Sequence, residues 1–125
     1  MIKQVKSSDI KNFIKDNTDI ELLDVRTQDE WDNIGRPDGE KLNLKTHFVT
    51  IVRSSDPIAN KGFVEEVKNK IDPNKQLLVI CKAGGRSMMA AQLLSQENIT
   101  CINISDGFEG NGENAGWKNE GLPSK

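Results

Sequence analysis

Leu77-Leu78-Val79-Ile80 is an unbroken apolar run that ends on Cys81. It has the length of a strand buried on both faces, as the inner strands of a parallel sheet are. Lys82-Ala83-Gly84-Gly85-Arg86 follows, and Ser87-Met88-Met89-Ala90-Ala91-Gln92-Leu93-Leu94 then reads as a helix rich in strong helix formers. The chain therefore turns from a buried strand into a helix within a few residues. A cysteine sits at the strand's carboxyl end, and two glycines sit in the turn.

That arrangement suits an anion and a nucleophile together. A helix start leaves backbone N–H groups unpaired and carries partial positive charge. Adjacent glycines let the backbone turn several N–H groups toward one point. A cysteine in such a cradle is expected to favour its thiolate, which is the nucleophilic form. Lys82 and Arg86 add positive charge at the rim, Arg86 with a fork that matches oxyanions.

The rest of the chain sets the fold. Ile2–Val5 is a short strand candidate, and Ser7-Ser8-Asp9 offers caps for a helix carrying Ile10, Phe13 and Ile14 that ends near Asn17. Ile20–Arg26 reads as a strand with Asp24 and Arg26 at its carboxyl end, the edge where open α/β sheets bind ligands. The favoured role for those two is an internal ion pair that fixes loops. Thr27 can cap a short helix bearing Glu30 and Trp31, with Trp31 packed on the core.

Ile34–Gly39 is a turn by composition, and Lys41–Leu44 a short strand. The stretch from Thr46 to Lys61 is long for a connection and is a candidate for shaping substrate access. Phe63, Val67 and Ile71 mark a helix stopped at Asp72-Pro73, and Ile99–Ile104 is a last strand. Alternating helices and strands with short connections predict one α/β domain over residues 1–125 with a largely parallel sheet.

A net charge of −2 gives no basic footprint, so nucleic acid is not an expected partner. No apolar run approaches the roughly 20 residues of a membrane span, and the first residues lack a signal peptide's apolar core. A cytoplasmic, monomeric protein is expected. The lone histidine, His47, reads as a hydrogen-bonded or solvated loop residue, and no cluster has metal-ligand spacing. Cys101 reads as a small buried hydrophobe, the alternative being a resolving thiol for Cys81.

Cys81-Lys82-Ala83-Gly84-Gly85-Arg86 resembles the active-site loop of rhodanese-like sulfurtransferases, where a cysteine and a basic residue bracket four loop residues. Leu22–Arg26 with Glu30-Trp31 resembles the family's early strand and the acidic-aromatic pair after it. Asp106–Gly110, Gly116-Trp117-Lys118 and Gly121-Leu122-Pro123 resemble its closing segment. Arg36 departs from the pattern, standing where the family often has a histidine after the glycine.

The resemblance implies a three-layer α/β domain: a central, mostly parallel five-stranded sheet with helices on both faces. It also implies a thiosulfate sulfurtransferase that works through a Cys81 persulfide. Lys82, Ala83, Gly84, Gly85, Arg86 and Ser87 would bind the substrate, and Asp24 and Arg26 would support the site. No cofactor beyond the covalent persulfide is expected. The expected partners are a small anionic sulfur donor and a thiol, cyanide or protein acceptor. Lys82 stands where thiosulfate-type members often carry arginine. Two rivals are a persulfide-carrying or regulatory module without turnover, and a small phosphatase of the same fold. Phosphatase loops hold one residue more between cysteine and arginine, so the spacing here favours sulfur.

Overall fold

The computed structural model describes residues 2–52 and 61–125. Five strands, β1 (Lys3–Val5), β2 (Ile20–Asp24), β3 (Thr46–Phe48), β4 (Gln76–Ile80) and β5 (Cys101–Ile104), form one sheet in the order β1-β5-β4-β2-β3. Every pairing is parallel. The sheet matches the expected five-stranded α/β layout. The apolar run Leu77–Ile80 is its middle strand, and all four of those residues are buried.

Burial on both faces follows from alternation along the inner strands. Leu23, Leu77 and Val79 point to one side, where they pack with Phe63 and Val67 of α3 (Phe63–Lys68) and Ala90, Ala91 and Leu94 of α4 (Gly85–Ser95). Leu22, Leu78, Ile80, Ile102 and Ile104 point to the other. There they meet Ile10 of α1 (Ile10–Asp16) and, from the closing segment, Phe108, Trp117 and Leu122. Helices thus cover both faces, and a short helix, α2 (Gln28–Asn33), lies after β2. No helix among the described residues is long and apolar enough to cross a membrane.

Three local expectations are corrected. Ser7-Ser8-Asp9 forms a 3-10 turn and makes no side-chain cap on α1. Ser7 instead donates its N–H and its hydroxyl, each at 2.9 Å, to the buried Asp106 carboxylate, which also accepts the Gly116 N–H at 2.9 Å. That carboxylate staples the first turn to the closing segment.

Lys41–Leu44 is not a strand: Gly39–Leu42 is a 3-10 turn, and Asn43, at φ 60°, reverses the chain into β3 at Thr46. The apolar alternation of Leu42 and Leu44 mimics a strand, but the carbonyl of Gly39 accepts the Leu44 N–H at 2.9 Å and closes a turn instead. His47 consequently lies on β3 rather than in a loop, buried, with Nε2 2.8 Å from the Glu21 carboxylate. Of the stretch expected to shape substrate access, Val49 and Ile51 are core residues, and positions 53–60 lie outside the described residues.

Candidate active site

Cys81 directly follows β4, at the carboxyl edge of the sheet. Gly84 caps α4 at φ 107°, a left-handed conformation that side chains strain to adopt. The turn aims the Gly84 N–H at the Cys81 sulfur, 3.1 Å away. The Ser87 hydroxyl, one turn into α4, lies 3.2 Å from the same sulfur. The helix begins two residues earlier than its composition suggests, because Gly85 and Arg86 form its first turn.

The loop is held tightly from behind. A Cβ on Gly84 would lie 2.2 Å from the Ser105 carbonyl oxygen, and one on Gly107 would lie 2.3 Å from the Lys82 carbonyl oxygen. The N–H groups of Phe108 and Glu109 donate to the carbonyls of Cys81 and Lys82, at 2.8 and 3.0 Å. The closing segment therefore forms the rear wall of the cysteine loop, and glycine at 84 and 107 is what allows that approach. Lys82, Ala83 and Gly85 form an exposed rim around the buried Cys81.

Arg86 is engaged by a partner that sequence reasoning did not assign to it. Its two terminal nitrogens donate to the two carboxylate oxygens of Glu30, at 2.7 and 2.8 Å. Glu30 also closes a capping box with Thr27 at the start of α2, so its position is fixed from both sides. Partial burial pushes the Glu30 carboxyl up, but Arg86 and the Thr27 bonds outweigh it and bring it from 4.5 down to about 2. Arg86 is raised above its ordinary value by the same bonds to Glu30, with smaller contributions from Cys81 and Asp24. The Thr27-x-x-Glu30 spacing was a readable signal for the cap. The arginine pairing across 56 residues was not.

Asp24 and Arg26 form the expected internal ion pair at the end of β2. The Arg26 fork reaches Asp24 at 2.8–3.1 Å, both side chains are fully buried, and Arg26 also donates to the Gly35 carbonyl at 2.9 Å. One terminal nitrogen, Nη1, has no hydrogen-bond acceptor among the described residues. The guanidinium lies 4.3 Å from the centre of the Phe108 ring, a favourable site for a cation. The pair ties the turn after α2 to the closing segment beneath the loop. Trp31 packs edge-on against Phe48, with ring centres 5.3 Å apart. Arg36 hangs over Phe48 and pairs with Asp32 at 3.4 Å, so it takes no part in the cysteine loop.

Cys101 stands opposite Leu77 in the sheet register, four residues before Cys81. At about 3.3 Å per residue the two cysteines are roughly 13 Å apart along the strands, well beyond disulfide reach. Burial pushes the Cys101 thiol up to about 12. It is a core thiol and cannot resolve Cys81 in this fold.

The family model of the rhodanese-like domain matches residues 7–113. The chain belongs to the rhodanese-like domain family. An uncharacterized protein of Rickettsia prowazekii, RP600, is 34% identical over 124 residues, 98% of this chain and 97% of the relative. The crystal structure of Rv0390 from M. tuberculosis superposes with a TM-score of 0.86 at 29% identity, covering 98% of this chain and 96% of the other. The polysulfide-sulfur transferase homodimer of Wolinella succinogenes is similar at 27% identity, with a TM-score of 0.64 over 99% of this chain and 78% of the other. As a rhodanese-like domain, the chain carries its cysteine loop at residues 81–86, within the matched region.

Proposed function

We propose that this rhodanese-like domain transfers a sulfane sulfur from an anionic donor, thiosulfate being the leading candidate, to a thiol or cyanide acceptor. The observation that carries this reading is the Cys81 sulfur at a strand end, 3.1 Å from a backbone N–H of the helix-opening turn. In the first half-reaction the Cys81 thiolate attacks the outer sulfur of thiosulfate. A new S–S bond forms, the donor's S–S bond breaks, and sulfite leaves with the electron pair. In the second, a nucleophilic acceptor attacks the terminal sulfur, and Cys81 departs as thiolate. No net redox change or external oxidant is needed.

The chain's residues divide the work by position. Lys82, Ala83, Gly84, Gly85, Arg86 and Ser87 enclose the space above the sulfur, where backbone N–H groups stabilise a donor oxyanion and the terminal persulfide sulfur. Lys82, exposed at the rim, attracts the anionic donor. Arg86, with its fork filled by Glu30, acts by holding the loop in the shape that aims the Gly84 N–H at sulfur. Asp24 and Arg26 support the loop from below. The four-residue spacing between Cys81 and Arg86 favours sulfur over the wider cradle a phosphate requires.

Steady-state kinetics with thiosulfate and cyanide test the reading. Two half-reactions through a covalent intermediate give parallel double-reciprocal lines. Intersecting lines exclude it. A persulfide that forms but turns over only with a protein acceptor identifies a carrier instead of a free-standing enzyme.

A further inference from the structure

Behind Cys81 lies a buried polar chain, the side chains of Ser87 and Asn103, that the proposed chemistry does not use. The Ser87 oxygen is 3.2 Å from the Cys81 sulfur, 3.2 Å from the Gly84 carbonyl oxygen, and in much shorter contact with Oδ1 of Asn103 on β5. Asn103 Nδ2 donates to the Gly84 carbonyl at 3.2 Å and to the Gln4 side-chain oxygen at 3.1 Å. Ser87 and Asn103 are both essentially inaccessible to solvent.

The orientation of the Asn103 amide is decided by the backbone. A carbonyl oxygen can only accept, so the atom of Asn103 facing Gly84 O must be the amide nitrogen. Its oxygen therefore faces Ser87. Ser87 has one hydroxyl hydrogen and three acceptors around it. The closest is Asn103 Oδ1, so the hydrogen is directed there, and Ser87 turns a lone pair toward sulfur. A lone pair receives the S–H of a thiol but repels a thiolate. Turning the amide over would free Ser87 to donate to sulfur, but it would set Asn103 Oδ1 against Gly84 O.

We propose that Asn103 is a positioning residue for Cys81: by occupying the Ser87 hydroxyl hydrogen it makes Ser87 an acceptor toward sulfur, favouring the thiol. The Gly84 N–H opposes it by favouring the thiolate, so β5 and the loop pull on one sulfur in opposite senses. The inference concerns the same cysteine as the proposed function but does not require any particular sulfur donor.

Among the described residues, most charged side chains on the elements around the loop are paired with one another. Arg86 on α4 is bonded to Glu30 on α2, and Asp24 to Arg26 at the end of β2. Lys82 lies in the loop itself. In the closing segment the Asp106 carboxylate is engaged by Ser7 and Gly116, and the half-buried Glu109 is joined to the loop only through its backbone N–H, on the Lys82 carbonyl. None of these groups changes in the variants below.

The test is an ultraviolet thiolate titration of the intact protein, with a Cys81→Ser sample subtracted. The chain contains no tyrosine to obscure the signal, and burial pushes the Cys101 thiol up to about 12. Asn103→Leu frees the Ser87 hydroxyl, which then prefers the anionic sulfur to the neutral Gly84 carbonyl. The Cys81 midpoint is expected to fall by about one pH unit, roughly tenfold more thiolate at a given pH below it. Asn103→Ala gives the same direction and serves if the leucine does not fold. In a Ser87→Ala background either Asn103 substitution is expected to shift nothing, a dependence that simple loosening of β5 would not show. An unchanged or raised midpoint in the single variants, or a fall that persists without Ser87, overturns the proposal.

Discussion

Arg86 holds Glu30 through both terminal nitrogens, at 2.7 and 2.8 Å, and so joins the helix that follows the cysteine loop to the short helix after β2. Glu30 is fixed in turn by Thr27, whose hydroxyl and N–H reach it at 3.1 and 3.2 Å. The loop's shape thus depends on a contact between distant parts of the chain as well as on its own glycines. Arg86, which the resemblance implies as a substrate contact, thus also makes a bidentate bond to the protein itself.

Glu30→Gln separates these roles, because glutamine at that position can still complete the cap. Catalytic efficiency with thiosulfate is expected to fall about tenfold to hundredfold, in line with roughly 1.5–3 kcal/mol for a hydrogen bond to a charged group. Were Arg86 a direct donor ligand restrained by Glu30, the substitution would release it and lower the KM for thiosulfate. Measuring kcat and KM separately decides between the two.

The same pair predicts acid sensitivity. The Glu30 carboxyl is lower in the folded protein, about 2, than its ordinary 4.5. A depressed carboxyl contributes stability that is fully present above its unfolded value and is lost as pH falls through the folded one. Denaturant midpoints of wild type and Glu30→Gln are therefore expected to differ above about 4.5 and to converge as pH falls toward 2. A constant gap through that window would contradict the assignment.

Asp24→Asn leaves the fully buried Arg26 guanidinium without its counter-charge. Breaking one side of such a pair costs about 3–5 kcal/mol, a large part of a typical domain's total stability. Equilibrium unfolding is expected to show a loss of that order. A change within about 0.5 kcal/mol, typical of surface substitutions, would mean that Arg26 finds another partner.

Gly84→Ala places a methyl group 2.2 Å from the Ser105 carbonyl oxygen, on a backbone at φ 107°. Strain of this kind costs about 1–3 kcal/mol before the steric contact is counted. The loop is expected to move off Ser105 and carry the Gly84 N–H away from sulfur, lowering both thermal stability and sulfur transfer. Gly85→Ala, where a Cβ would meet nothing within 4 Å, is the matched control for stability and is expected to leave the thermal midpoint nearly unchanged.

The parts of this fold that local chemistry dictates were legible in the sequence. The apolar run before Cys81, the glycine turn and the helix after it declare themselves through composition, although the helix starts two residues early, at Gly85. So did the Asp24–Arg26 pair, because two residues of one strand end already lie close together. Lys41–Leu44 reads as a strand but is a turn, because its strand-like alternation of leucines hides the closure by Asn43 in the left-handed region. Partnerships across long separations left no local trace: Arg86 with Glu30, Asp106 with Ser7, and Asn103 with Ser87. Each depends on which strands neighbour one another, and the order β1-β5-β4-β2-β3 is not written in any one segment. Cys101 was settled in the same way, by strand register rather than by its surroundings in the chain.

Intact mass after incubation with thiosulfate, before and after cyanide, tests the Cys81 persulfide most directly. One sulfur atom, about 32 Da, is expected on the peptide containing Cys81, removed by cyanide with thiocyanate released, and absent from a folded Cys81→Ala variant. Sulfur transfer that survives in Cys81→Ala, or no sulfur gained from thiosulfate by the folded wild type, would contradict it.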